Sequence, residues 1–93
     1  MKTLADFKRA LTIGSRWQLV HAYGKNSMRT VAKVRSKDIG FKLDEKDVIS
    51  WLDFPKSSEL KFNGEWVEFW PSWWNRDFCN FVPNKPFMKY RQI

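Results

Sequence analysis

His21 is the only imidazole in the chain and Cys79 the only thiol. Nucleophilic or metal chemistry would have to be assembled around those two groups. A Ser-His-Asp or Cys-His arrangement would need His21 as its base, yet His21 stands mid-strand between Val20 and Ala22 and reads better as a satisfied core or interface histidine. Metal sites want several His, Cys or carboxylate ligands close together, and the sequence clusters none. The four glycines, Gly14, Gly24, Gly40 and Gly64, are isolated, so there is no glycine-rich phosphate loop. Asp53, Glu65, Glu68 and Asp77 could act as acids or bases, but nothing in their spacing singles out a pair. The reading is a protein that is not an enzyme and uses neither metal nor cofactor. A lone cysteine also excludes an internal disulfide framework, and Cys79 in its aromatic neighbourhood reads as a small core hydrophobe.

Binding chemistry is better represented. Arg29, Lys33, Arg35 and Lys37 recur at every second position or multiples of it, with Val31 between the first two. On a strand this parity predicts a cationic ladder on one face with neighbours ~7 Å apart. Four cations on one face are not buried unpaired, so the face meets solvent or an anion. It is equally readable as a solvated face that discourages edge-to-edge aggregation. Residues 1–37 carry nine basic side chains and one acidic one, residues 38–77 five against nine, and residues 78–93 three basic ones. The net charge of +7 therefore originates at the two ends of the chain.

Six tryptophans are too many for a small core to hide completely. Trp17 and Trp51 alternate with Leu19 and Ile49 and are expected in the core. The Asn63-Gly64 dipeptide predicts a two-residue hairpin loop, with Phe62 opposite Glu65 and Leu60 opposite Val67. Leu60, Phe62, Val67 and Phe69 then face inward, and Trp66 and Trp70 lie on the more polar face. Together with Trp73 and Trp74 they form either aromatic anchors for a partner or a secondary mini-core closed by the segment from Ser72 to Phe81.

The elements that must position these groups follow from the pattern. Thr3 to Leu11 predicts a short helix, N-capped by Thr3 with Asp6 at the third helical position and a stripe of Leu4, Phe7 and Leu11. Strands are expected at Arg16–Tyr23, Met28–Ser36, Ile39–Leu43, Val48–Phe54, Glu59–Phe62 and Glu65–Trp70, with a last hairpin joining Phe78–Val82 to Phe87–Ile93. The fold class is α+β and mostly β: a short N-terminal helix, then a small antiparallel sheet curled as an SH3-like or OB-like open barrel. At 93 residues it is a single domain, 1–93. No apolar h-region follows Lys2 and no apolar run approaches a membrane span, so a cytoplasmic setting is expected.

The stretches Thr3-Leu4-Ala5-Asp6-Phe7-Lys8-Arg9-Ala10-Leu11 and Ser50-Trp51-Leu52-Asp53-Phe54-Pro55-Lys56 resemble those of small accessory proteins encoded by bacteriophages and mobile elements. Arg29 to Val34 and Tyr90-Arg91 are compatible with the same pattern, whereas the Trp-rich stretch from Glu65 to Phe81 is not part of it. The resemblance implies a phage-type protein that works by binding inside a bacterial host. The expected function is inhibition or modulation of a host protein or nucleoprotein complex with an acidic surface, in the manner of an anti-CRISPR or other anti-defence inhibitor. Arg29, Lys33, Arg35 and Lys37 would supply charge complementarity, and Trp66, Trp70, Trp73 and Trp74 the apolar anchors. The alternatives are direct nucleic-acid binding, with cations on phosphates and aromatics on bases, and sequestration of a nucleotide.

Overall fold

The computed structural model describes residues 1–22, 24–74 and 85–93. Cys79 and the expected strand Phe78–Val82 lie outside the described residues. The chain runs through helix α1 (Leu4–Ala10), then strands β1 (Arg16–His21), β2 (Asn26–Val34), β3 (Asp38–Leu43) and β4 (Ile49–Asp53). A 3-10 turn (Ser57–Glu59) precedes β5 (Leu60–Asn63), β6 (Trp66–Phe69) and β7 (Met88–Gln92). Among the described residues seven strands form one antiparallel sheet in the order β4-β3-β2-β1-β7-β6-β5. A four-stranded meander and a separate hairpin are thus sewn together by the last strand, which enters between β1 and β6. The fold is mostly β behind one short helix, as expected, and among the described residues strands β4 and β5 remain as open edges, so the sheet is not closed into a barrel.

Helix α1 begins as its sequence dictates. The Thr3 hydroxyl accepts the Asp6 amide at 3.1 Å, and the Asp6 carboxylate accepts the Lys2 amide at 2.9 Å. A helix of seven residues is not stable alone in water. It is held by Phe7, whose ring lies edge-on to Trp17 at 5.7 Å and tilted against Tyr90 at 5.3 Å. Around this contact Trp17, Leu19, Val31, Ile39, Phe41, Val67, Met88 and Tyr90 line the inner face of the sheet and form the core with Leu11 and Leu60. The two faces alternate by residue, as pleated strands require.

Two sequence expectations, one about facing and one about register, are corrected. First, β2 carries a bulge: Val31 pairs with Phe41 but Lys33 pairs with Gly40, leaving Ala32 as the extra residue. The bulge reverses parity along the strand. Arg29, opposite Trp17, therefore lies on the inner face, while Lys33, opposite Gly40, lies on the outer one. The four-cation ladder does not exist as a single row. Second, the β5–β6 hairpin pairs Asn63 with Trp66 and Phe62 with Val67, so its loop is Gly64-Glu65 rather than Asn63-Gly64. Gly64 takes φ +61°, a conformation that suits glycine at the first loop position. The slip is two residues, so inward and outward sets are unchanged: Leu60, Phe62, Val67 and Phe69 face in, and Trp66 faces out.

Candidate binding surface on the outer face

On the outer face, β3 contributes Gly40 at the point where β4 places Trp51 opposite it. A Cβ on Gly40 would stand 3.1 Å from Cη2 of Trp51 and 3.0 Å from Cγ2 of Ile49, so the absence of a side chain lets both lie flat across β3. The Arg35 guanidinium lies over the indole, 3.7 Å from the ring centroid. Asp38 holds Arg35 in a two-pronged ion pair at 2.7 and 2.6 Å. That hydrogen bond from Arg35 keeps the Asp38 carboxyl below its ordinary range. Trp51 is 39% exposed and Ile49 is 37% exposed. The expectation that Trp51 belongs to the core is therefore wrong. An edge strand has one covered face, and Leu52 takes the inward place opposite Ile39.

Cations also meet acids on this face, one pair distant in sequence and one local. Arg16 pairs with Asp44, and Lys42 pairs with Asp47 at 3.0 Å. Arg16 and Arg35 of the basic first third thus meet Asp44 and Asp38 of the acidic middle, which offsets part of the charge separation seen along the sequence. Pairs this exposed contribute ~0–1 kcal/mol each. Lys33 and Lys37 are different: among the described residues no carboxylate lies within 4.0 Å of either, and both are exposed. Lys33, Gly40 and Trp51 thus form one outward row across β2, β3 and β4, with Arg35 over the indole and Lys37 in the turn between β2 and β3. Arg29, the fourth expected cation, stands apart on the inner face, half-buried, with its Nε donating to the Ser27 hydroxyl at 3.1 Å.

The opposite end of the same face carries Trp66 and Trp70. Lys89 Nζ lies 4.4 Å and Arg91 Cζ 4.7 Å from the Trp66 ring, and Lys61 Nζ lies 4.6 Å from that of Trp70. Trp70 Nε1 donates to Glu68 at 3.1 Å, Arg91 donates to Glu65 at 3.1 Å, and Arg91 also meets Gln18. These bonds and ring contacts tie the side chains of the patch to one another and preorganise the surface. Five intervening strand spacings of ~4.8 Å put its aromatic edge ~24 Å from Trp51. Trp73 and Trp74 do not join either patch. Trp74 is 1% exposed, donates its indole N–H to the Lys85 carbonyl at 2.8 Å, and packs with Trp73 against Phe87. Trp74 is a core residue rather than an anchor for a partner, whereas Trp73 beside it remains 37% exposed.

His21 lies half-buried with its ring edge-on to Phe87 at 6.0 Å. Burial, aided by the positive charges of Arg29 and Lys25, pushes its imidazole below the usual value. The unfolded chain therefore binds a proton at a pH where the folded chain resists one, and stability falls as pH drops through ~6.5. The Asp6 carboxyl, lowered chiefly by the Lys2 amide, and that of Asp38 act only further down, in the carboxylate range. Urea unfolding at about pH 7.5 and about pH 5.5 should show a loss on acidification that His21→Gln abolishes. An equal loss in the variant would assign it elsewhere.

Two of the concavities lined by described residues bear on the nucleotide reading. One, of about 230 Å³, has His21, Lys85 and Lys89 in its wall; the other, of about 470 Å³, mixes Lys25 and Lys46 with Asp44 and Glu45. The first is below the ~300–1,000 Å³ usual for ligand pockets, and no tryptophan lines either. Among the described residues no three His, Cys, Asp or Glu side chains are placed to hold a metal ion, and no helix is long and apolar enough to cross a membrane. No protein-family model, curated protein or solved structure matches this chain.

Proposed function

We propose that this is a non-enzymatic binding protein that docks the β2–β3–β4 corner of its outer face on an acidic surface of a host protein or nucleoprotein complex, and so inhibits or modulates it. One observation carries the reading: Lys33 stands in the outward row Lys33–Gly40–Trp51, free of acidic partners among the described residues as is Lys37 in the β2–β3 turn, and the exposed Trp51 of that row is held by Arg35 and Gly40. Trp and Arg concentrate binding energy at protein interfaces, and uncompensated cations steer the approach of an acidic partner. Building the corner on paired strands lowers the ordering cost of association. Trp66 and Trp70, with their cations, offer a second contact on the same face. The resemblance to phage accessory proteins supplies the setting, in which an anti-CRISPR or comparable anti-defence inhibitor is the concrete form.

The test is capture from a bacterial lysate by the immobilised protein, with and without nuclease. Capture should survive nuclease and fall about tenfold or more in Lys33→Glu/Lys37→Glu, a loss of about 1.4 kcal/mol or more. Stability should change by no more than about 0.5 kcal/mol, because both side chains are exposed. Capture indifferent to the double substitution would sink the proposal. Capture abolished by nuclease, with binding to random oligonucleotides that weakens steeply with salt, would favour direct nucleic-acid binding through the same free cations.

A further inference from the structure

We propose that β4 is a self-pairing edge and that two copies of this chain join through it about a two-fold axis, making one continuous antiparallel sheet. The backbone direction is set by two bonds at the ends of the strand. Leu43 donates to the Val48 carbonyl and Phe54 donates to the Lys37 carbonyl, so residues 48 and 54 turn their peptide groups toward β3. Alternation then directs the N–H and C=O groups of Ile49, Trp51 and Asp53 away from β3. Among the described residues nothing pairs with that side of β4.

The two edges of the sheet are guarded differently. Strand β5 is four residues long and presents Lys61, a typical device against edge pairing. Strand β4 reads Ile49-Ser50-Trp51-Leu52-Asp53, with neither lysine nor proline inside it, and Val48 and Ile49 add exposed apolar surface beside Trp51. An open, unguarded apolar edge is a template for another strand.

The register is dictated by the free groups. Placing Trp51 opposite Trp51 of the second copy pairs Ile49 with its Asp53 and uses all three free residues of each chain, for about six backbone hydrogen bonds. A shift that sets Trp51 against Asp53 would bring Ile49 against Pro55, which has no N–H to give. In the symmetric register Asp53 lies two strand spacings, ~10 Å, from Lys42 of the second copy, since Lys42 is the partner of Ile49 on β3. The isologous contact therefore sets a carboxylate toward an ammonium at both ends, with the two indoles at the axis. Pairing covers the strand edge and leaves the outer face open, so the cations of the two corners would lie on one doubled surface. The association stands independently of what that surface binds.

Sedimentation equilibrium of the full chain from micromolar to millimolar concentration should show a shift from 11.2 kDa toward twice that mass. Trp51→Lys and Trp51→Glu should each remain at the monomer mass, because like charges would meet at the axis. An equimolar mixture of the two should recover the doubled mass, a rescue that unfolding could not produce. Ile49→Pro, which removes an outward N–H at the first position of the strand, should also stay monomeric. A wild-type chain that stays at 11.2 kDa at millimolar concentration, charge variants that still associate, or a mixture that does not recover would each overturn the proposal.

Discussion

Phe7→Ala is expected to cost about 3–5 kcal/mol, the range for truncating a fully buried aromatic side chain. Phe7 has no exposed surface and is the point where α1 meets the sheet, against Trp17 from β1 and Tyr90 from β7. These two strands are neighbours, so one ring braces the seam where the meander joins the closing strand. Seven helical residues contribute little by themselves. Once the ring is gone, the Thr3 cap and the Leu4 and Leu11 contacts have to hold the helix over a cavity. Against a total stability of ~5–15 kcal/mol for a small domain, that is a large share. Thermal unfolding should drop by more than about 10 °C. Phe7→Leu should cost less than Phe7→Ala, because leucine refills part of the space left by the ring. A loss below about 1 kcal/mol in the alanine variant would show that the helix does not depend on this contact.

Local chemistry was legible in the sequence wherever it depended on neighbours along the chain. Thr3 and Asp6 specify the start of α1 because both bonds they make close within four residues. The inward set Leu60, Phe62, Val67 and Phe69 was also legible, since any slip of two residues preserves a period of two. Parity fails as soon as one residue is inserted. Ala32 carries no mark that distinguishes a bulged alanine from a paired one, and the bulge divides Arg29 from Lys33. Strand order was not legible either. That β7 enters between β1 and β6 depends on contacts between residues some 70 positions apart, such as Gln18 with Arg91. The charge pattern misled for the same reason: Arg16 finds Asp44 only after two strands have folded back beside it.

Gly40 was the one available signal for the exposed corner. An isolated glycine inside a strand marks a close approach by another group, and here that group is the Trp51 ring. Reading Gly40 together with the aromatic on the following strand would have moved Trp51 from the core to the surface. The open edge of β4 completes the account, because an edge strand with one buried face can keep only one of its two alternating sets inside, and Leu52 already fills that role.

The two tryptophans whose expected places are exchanged should separate folding from binding. Trp74→Ala should cost about 3–5 kcal/mol, because the ring is buried and its N–H is satisfied by a carbonyl eleven residues away. Its removal takes away the surface against which Phe87 packs and leaves the Lys85 carbonyl to find another donor. Trp51→Ala should cost only about 1 kcal/mol, the worth of a partly exposed indole with one guanidinium over it. The order reverses for partner capture. Trp51→Ala removes the anchor of the corner and should reduce capture about tenfold or more, as truncating a central tryptophan does at an interface. Trp74→Ala, measured at a temperature where it remains folded, should capture as the wild type does. Urea unfolding and capture on the same two variants check both halves. Equal stability losses would return Trp51 to the core, and undiminished capture by Trp51→Ala would move the binding surface to the Trp66 and Trp70 end of the sheet.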